Sequence, residues 1–187
     1  MSVRRLALAL VAVTLAACQA EEAVVPEAVH QHPAAVKVDE VRPSDLAALR
    51  RAIGPYHNVE AAERGGWNFV IPNLDGSLCF ESSAGDMGFH YADTDLIGDG
   101  VVDAARPEAL LFEPQKNGRL RLVAVEYLVP IALWTGAEPP RLYGQEFPEV
   151  PGFGVYGLHV WIGKENPAGL FTAYNPTVSC AYAAATR

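Results

Sequence analysis

The stretch RLRLVAVEYLV, Arg119 to Val129, is the longest strongly β-forming run after the N-terminal targeting segment, and it decides the fold. Two further strand-like runs are MGFHY at Met87 to Tyr91 and VYGLHVWIG at Val155 to Gly163. Each of the three runs contains an ionisable residue among apolar neighbours. These polar exceptions are His90, Glu126 and His159. We therefore predict a sheet built on these three strands.

The residues around this core run indicate an α+β fold. Glu108 to Glu113 is a further apolar run, and the Asn-Gly pair that follows it supplies the positive φ angles of a tight hairpin turn. Upstream, residues 43–53 and 58–64 have helical spacing, with Ser44 and Asn58 as the expected N-caps. The prediction is N-terminal short helices packed on a curved, mainly antiparallel sheet of about five or six strands, barrel-like if it closes.

Two other segments complete the expected domain. Alternating apolar residues predict a first strand from Trp67 to Ile71, and Leu78 to Phe80 is a short second one. Residues 135–154 contain four Pro and four Gly, which predicts an irregular loop. The aromatic residues in that loop make it an expected cover over a pocket.

The N-terminus has the pattern of a targeting peptide. Arg4 and Arg5 precede an apolar run at residues 6–17 that is too short to span a bilayer as a stable helix. The sequence LAAC at residues 15–18 resembles the lipobox of bacterial lipoproteins. This resemblance implies cleavage before Cys18 and attachment of fatty acids, palmitate among them, to that residue. The alternative is an ordinary secretory signal with a chance cysteine.

The predicted organisation has three parts: a lipoprotein signal peptide at 1–17, a lipidated Cys and flexible tether at 18–42, and one globular α+β domain at 43–187. Several acyl chains hold a protein firmly on a membrane. We expect the protein in the cell envelope, lipid-anchored on the extracytoplasmic side of a bacterial membrane. Without the signal peptide, 12 basic residues face 22 acidic ones, a formal charge of −10, which argues against nucleic acid as a partner.

The two remaining cysteines are Cys79 and Cys180. In an oxidising compartment a disulfide between them is the simplest expectation. A pair of metal-binding thiols fits less well, because neither has a second Cys or a His at ligand spacing.

Glu126 shares its strand face with apolar residues, so an ionised carboxylate there needs a partner. One alternative is an arginine: Arg119, Arg121 or Arg141. Another is a structural hydrogen bond to His90 or His159 across neighbouring strands. In the third alternative all three residues bind a divalent transition metal, Zn or Fe, as a His/Glu/His site.

Other chemical signatures are weak or missing. The Asp-rich segment at residues 92–108 invites a calcium-loop interpretation, but residues without an oxygen ligand fall at ligand positions, and Asp residues that cap turns and a short helix explain it equally well. There is no Gly-x-Ser-x-Gly elbow, phosphate-binding Gly-Lys loop or HExxH motif, so whether the protein is an enzyme stays open.

The mature domain resembles a group of uncharacterised secreted bacterial proteins of unassigned function. The resemblance rests on MGFHY, ARPEALLFEP at 105–114, LVAVEYLVP at 122–130, LHVWIGKENPAGLF at 158–171 and NPTVSC at 175–180. It implies one domain and adds no chemistry. The leading expectation is a cell-envelope lipoprotein with a non-enzymatic domain that binds a small molecule or an envelope protein. The alternative is a metal-binding protein, for storage or a metal-assisted reaction.

Overall fold

The computed structural model describes residues 41–186, so the lipobox, Cys18 and the rest of the signal peptide lie outside the described residues. The α-helices are α1 (Pro43–Ile53), α2 (Val59–Arg64) and α3 (Thr94–Asp99), and short 3-10 helices lie at Gly54–Tyr56 and Ala183–Thr186. The strands are β1 (Phe69–Val70), β2 (Cys79–Phe80), β3 (Gly88–Ala92), β4 (Ala109–Pro114), β5 (Leu120–Pro130), β6 (Arg141–Leu142), β7 (Gln145–Glu146), β8 (Glu149–Val150) and β9 (Val155–Val160). No helix in this part of the chain has the length and apolar character that a membrane crossing needs.

The predicted α+β fold with a mainly antiparallel sheet is confirmed. The main sheet has the strand order β1-β3-β4-β5-β9-β8, with β2 also paired to β3, and all its pairs are antiparallel. It has seven strands instead of five or six. Within residues 41–186 the order runs between two separate edges, β1 and β8, so the sheet is open.

The central strand β5 is buried on both faces, which explains its long apolar run. Val125 and Tyr127 point towards a core that includes Leu49 and Ile53 of α1. Ala124 and Leu128 point to the other face, where they pack in a second core with Trp161 and residues of the C-terminal segment. Because side chains alternate along a strand, Glu126 belongs to this second face, opposite the core that contains α1 and α2.

The first helix has the predicted range, but its N-cap lies two residues earlier than predicted. Arg42 is its N-cap residue and makes no side-chain capping bond, so the expected cap at Ser44 is wrong. Pro43 occupies the first turn, where its fixed φ suits a helix and its missing N–H is not needed. The Asn58 cap of α2 is confirmed, because its Oδ1 accepts the N–H of Ala61 at 2.9 Å.

Two strand predictions also need correction. The first strand is limited to Phe69–Val70, because Trp67 is buried and its Nε1 donates to the Pro107 carbonyl at 2.9 Å, which holds it in the core beside the helices. The region at residues 135–154 contains three two-residue strands, so it is less irregular than expected. Two of them, β6 and β7, pair in a separate hairpin, and β8 pairs with β9. Strands this short cannot display the period-two pattern on which sequence reasoning depends.

The disulfide between Cys79 and Cys180 is present and ties the end of the chain to β2. Their Cα atoms are 5.9 Å apart. Asp86 supports this closure, because its carboxylate accepts the N–H groups of Cys180 at 2.8 Å and of Ser82 at 3.3 Å.

Candidate metal centre

Three strands bring His90, Glu126 and His159 together on the face of the sheet opposite α1 and α2. His159 on β9 lies directly opposite Glu126 on β5 in the antiparallel register. His90 is on β3, which is separated from β5 by β4. The predicted convergence of the three side chains is therefore found, but only one of the two histidines is on a strand adjacent to the glutamate.

Small residues make this convergence possible. Ala109 of β4 is the residue paired with Glu126, so a methyl group lies on the strand between the carboxylate and β3. On the other side, Gly157 lies two residues before His159, and a methyl group added there would be 3.1 Å from Glu126 Oε1. The space around the carboxyl group is therefore provided by residues with little or no side chain.

The distances within the cluster are longer than those of strong hydrogen bonds. Glu126 Oε2 lies 3.4 Å from His90 Nε2, and Glu126 Oε1 lies 3.6 Å from His159 Nε2. A hydrogen bond assisted by charge would have about 2.7 to 2.9 Å between these atoms. Four ligands at about 2.1 Å from a zinc ion, in contrast, lie about 3.4 Å apart at the corners of a tetrahedron. The two distances run to different oxygens of the carboxylate, and one ligand atom from each of the three side chains lies within 4.8 Å of the others, so the cluster is compact enough for ligands around one ion.

Two buried nitrogens in the cluster lack a hydrogen-bond partner within the described chain. These are His159 Nε2, which faces Glu126, and His90 Nδ1, which faces away from it. The backbone of Gly88 raises the pKa of His90, although no hydrogen bond of good geometry joins Gly88 to His90 Nδ1. Buried polar atoms are nearly always paired, so the orphan on His159 indicates room for a further group.

Burial controls the protonation of all three side chains. The exposed fraction of the side chain is 4 % for His90, 6 % for Glu126 and 8 % for His159. Desolvation lowers the pKa of His90 to about 3, with a further contribution from His159, and lowers the pKa of His159 to about 4. Burial, followed by the charge of Glu108, raises the pKa of Glu126 to about 8. Near pH 7 the metal-free cluster therefore contains two neutral imidazoles and a neutral carboxylic acid, and the close contacts are not ion pairs.

Neutral imidazole is the form that binds metals, so the histidines require no deprotonation. Glu126 would lose its proton to solvent when a metal ion binds, because the positive charge of the ion stabilises the carboxylate. The arginine alternatives are not realised in the described ion pairs and hydrogen bonds: Arg141 pairs with Glu146, and Arg121 donates to the Gly163 carbonyl.

Apolar and aromatic groups surround the cluster. The ring of Phe80 lies 4.4 Å from that of His90, centroid to centroid, and Phe153 lies 6.1 Å beyond Phe80. The indole of Trp161 is nearly parallel to the ring of His159 at 6.2 Å. Such surroundings lower the local dielectric constant and strengthen the attraction between a bound cation and its ligands.

Sequence reasoning missed a second buried carboxyl group, Glu108, which is 1 % exposed. Its Oε2 accepts the N–H of Leu128 at 3.0 Å. Burial, with the charges of Asp99 and Asp103, raises its pKa to about 8. The sequence carries the same signal as for Glu126, because Glu108 is an acidic residue at the start of the apolar run 108–113.

A second group of possible ligands is explained by structure alone. Glu81, Asp86 and Cys180 lie close together, but the Cys180 sulfur is in the disulfide and Asp86 accepts backbone N–H groups. The Asp-rich segment likewise serves local structure: Asp93 caps α3 by accepting the N–H groups of Asp95 and Leu96, in agreement with the capping alternative.

The larger surface clefts lie elsewhere. A cleft of about 620 Å³ runs between α2 and the β4–β5 hairpin, and others of about 310 and 410 Å³ lie at different positions. None of the three is lined by a residue of the cluster. The cluster is enclosed, because its three side chains are 8 % exposed or less.

Comparisons with known proteins add no assignment. No protein-family model matches the chain, and no curated protein or solved structure is significantly similar to it. The resemblance to uncharacterised secreted bacterial proteins therefore stays a prediction.

Proposed function

We propose that this protein is a lipid-anchored envelope protein that binds one divalent transition-metal ion through His90, Glu126 and His159. The observation that carries the proposal is the buried meeting of two imidazoles and one carboxyl group with ligand-like spacing. An unpartnered nitrogen on His159 points at the carboxyl group. The lipid anchor and the envelope location rest on the resemblance of LAAC at 15–18 to a lipobox.

The burial of the three side chains favours zinc over iron(II), because tetrahedral zinc needs one further ligand and octahedral iron(II) needs three. Two nitrogens and one carboxylate oxygen suit both ions. Neighbouring ligands around an octahedral ion lie about 3.0 Å apart, compared with about 3.4 Å around tetrahedral zinc. The distances of 3.4 and 3.6 Å run to two different oxygens of Glu126, so they do not distinguish the two ions.

A purely structural hydrogen-bond network is the main competing explanation. In that case a neutral Glu126 would donate its proton to one imidazole and accept an N–H from the other, but His159 Nε2 lies 3.6 Å from Glu126 Oε1 and has no hydrogen-bond partner among the described residues. An unsatisfied buried polar group costs about 1 to 3 kcal/mol. A metal ion would satisfy both nitrogens and the carboxylate together, which is why we prefer the metal-binding role.

Metal analysis of the purified protein after exposure to zinc or iron(II) tests the proposal. We expect one equivalent of metal in the wild type and a loss of metal in Glu126→Gln, which keeps the shape of the side chain. Glu108→Gln is the matched control, because it alters another buried carboxyl group outside the cluster and should retain the metal. Zinc at a hundred times its Kd should also raise the free energy of unfolding by about 2.7 kcal/mol.

Two results would contradict the proposal. One is the absence of stoichiometric metal under every loading condition, with the protein folded. The other is equal metal content in the wild type and Glu126→Gln, which would place the metal at a different site.

Binding of a small molecule in a surface cleft is a second candidate function. The cleft of about 620 Å³ falls within the usual size of small-molecule sites and is lined by Arg119 and Arg121. A small-molecule binding screen with the wild type and Arg119→Ala checks it: a ligand that binds both equally does not occupy this cleft.

A further inference from the structure

The candidate centre offers fewer ligands than a zinc ion requires. Among the described residues, the group of metal-ligating side chains around Glu126 contains only two histidines besides the glutamate itself. Zinc in proteins is usually four-coordinate, and sites with three protein ligands keep a position for an exchangeable group. If the proposed function is correct, the fourth ligand must come from solution.

Charge balance indicates the kind of group that this position accepts. Two neutral imidazoles, one carboxylate and a divalent ion give a net charge of +1. This charge would lie among side chains that are 8 % exposed or less, beside Phe80 and Trp161. A buried net charge is unfavourable unless it is compensated, so a ligand with a single negative charge is favoured.

The buried carboxyl group of Glu108 does not supply this compensation by direct contact. Glu108 is bonded to the backbone N–H of Leu128. Alternation along the strand puts it on the same face as Leu110, which packs in the core beneath the helices, whereas Glu126 is on the opposite face.

The enclosure limits the size of the ligand. The three ligand side chains are 8 % exposed or less, and the ring of Phe80 lies 4.4 Å from that of His90, so a bulky ligand would have to displace neighbouring side chains. We propose that the metal bound by His90, Glu126 and His159 keeps one coordination position for a small monovalent anion. The inference rests on the proposed function and adds the chemical class of the exchangeable ligand.

Cobalt(II) substitution separates the two proposals, because the visible bands of cobalt(II) respond to the ligands around it. The protein is loaded with cobalt chloride at fixed pH and titrated with sodium azide at constant ionic strength, maintained with sodium perchlorate. We expect a saturable shift of the bands with millimolar azide, and none with sodium sulfate, which is larger and doubly charged. The Glu126→Gln variant should show neither cobalt bands nor an azide response.

Each outcome bears on one proposal. If no cobalt binds, the proposed function fails. If cobalt binds at one equivalent but azide leaves the bands unchanged, the metal site stands and the inference of an anion position is overturned. If sulfate shifts the bands as readily as azide, selection by size and charge is overturned.

Discussion

Gly157→Ala is expected to damage the centre without removing any ligand. Gly157 is buried on β9, opposite Leu128 in the register, and an added methyl group would project towards the carboxyl group of Glu126. It would lie 2.7 Å from Val150 Cγ2 and 3.1 Å from Glu126 Oε1.

The size of the effect follows from these distances. Carbon atoms in contact are normally about 3.5 to 4.0 Å apart, so the methyl group would be roughly 1 Å too close to Val150. Overpacking of this kind costs about 1 to 3 kcal/mol in the free energy of unfolding. Displacement of Glu126 Oε1 should weaken metal binding by about 10- to 100-fold, as changes in the support of a ligand commonly do.

The assay combines urea unfolding of the metal-free protein with zinc affinity measured by chelator competition. Gly98→Ala is the control, because Gly98 lies in α3 with nothing within 4 Å of an added methyl group. Alanine there should leave zinc affinity unchanged and raise stability by up to about 1 kcal/mol. If Gly157→Ala binds zinc as tightly as the wild type and is equally stable, the described packing around Glu126 is wrong.

The remaining predictions concern stability and exchange. Replacing Cys79 and Cys180 with Ser removes a cross-link that spans 101 residues. This change should lower the free energy of unfolding by about 4.7 kcal/mol and the melting temperature by about 10 to 20 °C. An unchanged melting temperature would contradict this prediction. In the metal-free protein, burial raises the pKa of both Glu126 and Glu108 to about 8. The folded state therefore keeps protons that the unfolded state loses. For this reason the free energy of unfolding should fall as the pH rises from about 6.5 to 8. Urea denaturation at several pH values checks this, and a flat profile would show that these groups are not buried as described. Phe153→Ala should accelerate zinc loss to a chelator, because Phe153 packs over the aromatic ring that contacts the centre; an unchanged rate means that the metal leaves by another route.

The strands that hold the site were predictable because their sequences alternate or remain apolar over five residues or more. The predicted run from Arg119 to Val129 differs by one residue at each end from the observed β5. His90 and His159 were identified for the same reason as Glu126, since a lone ionisable group in an apolar strand requires an explanation. The register that sets His159 opposite Glu126 is a consequence of long-range pairing and has no local signal.

Other features depend on contacts that the sequence does not display. The insertion of β4 between β3 and β5 makes Ala109 important, although a single alanine in a strand appears unremarkable in sequence. The burial of Glu108 depends on its bond to Leu128, twenty residues away. The pairing of β8 with β9, which sets Val150 beside Gly157, involves only two residues on the β8 side.

The distribution of the three side chains over β3, β5 and β9 has a consequence for biogenesis. A nascent or partly unfolded chain lacks the centre until β9 has docked against β5, so a fragment that ends before residue 155 cannot form it. Metal binding would then be restricted to molecules whose sheet is complete. It would also protect these molecules from proteolysis, because it stabilises the folded state.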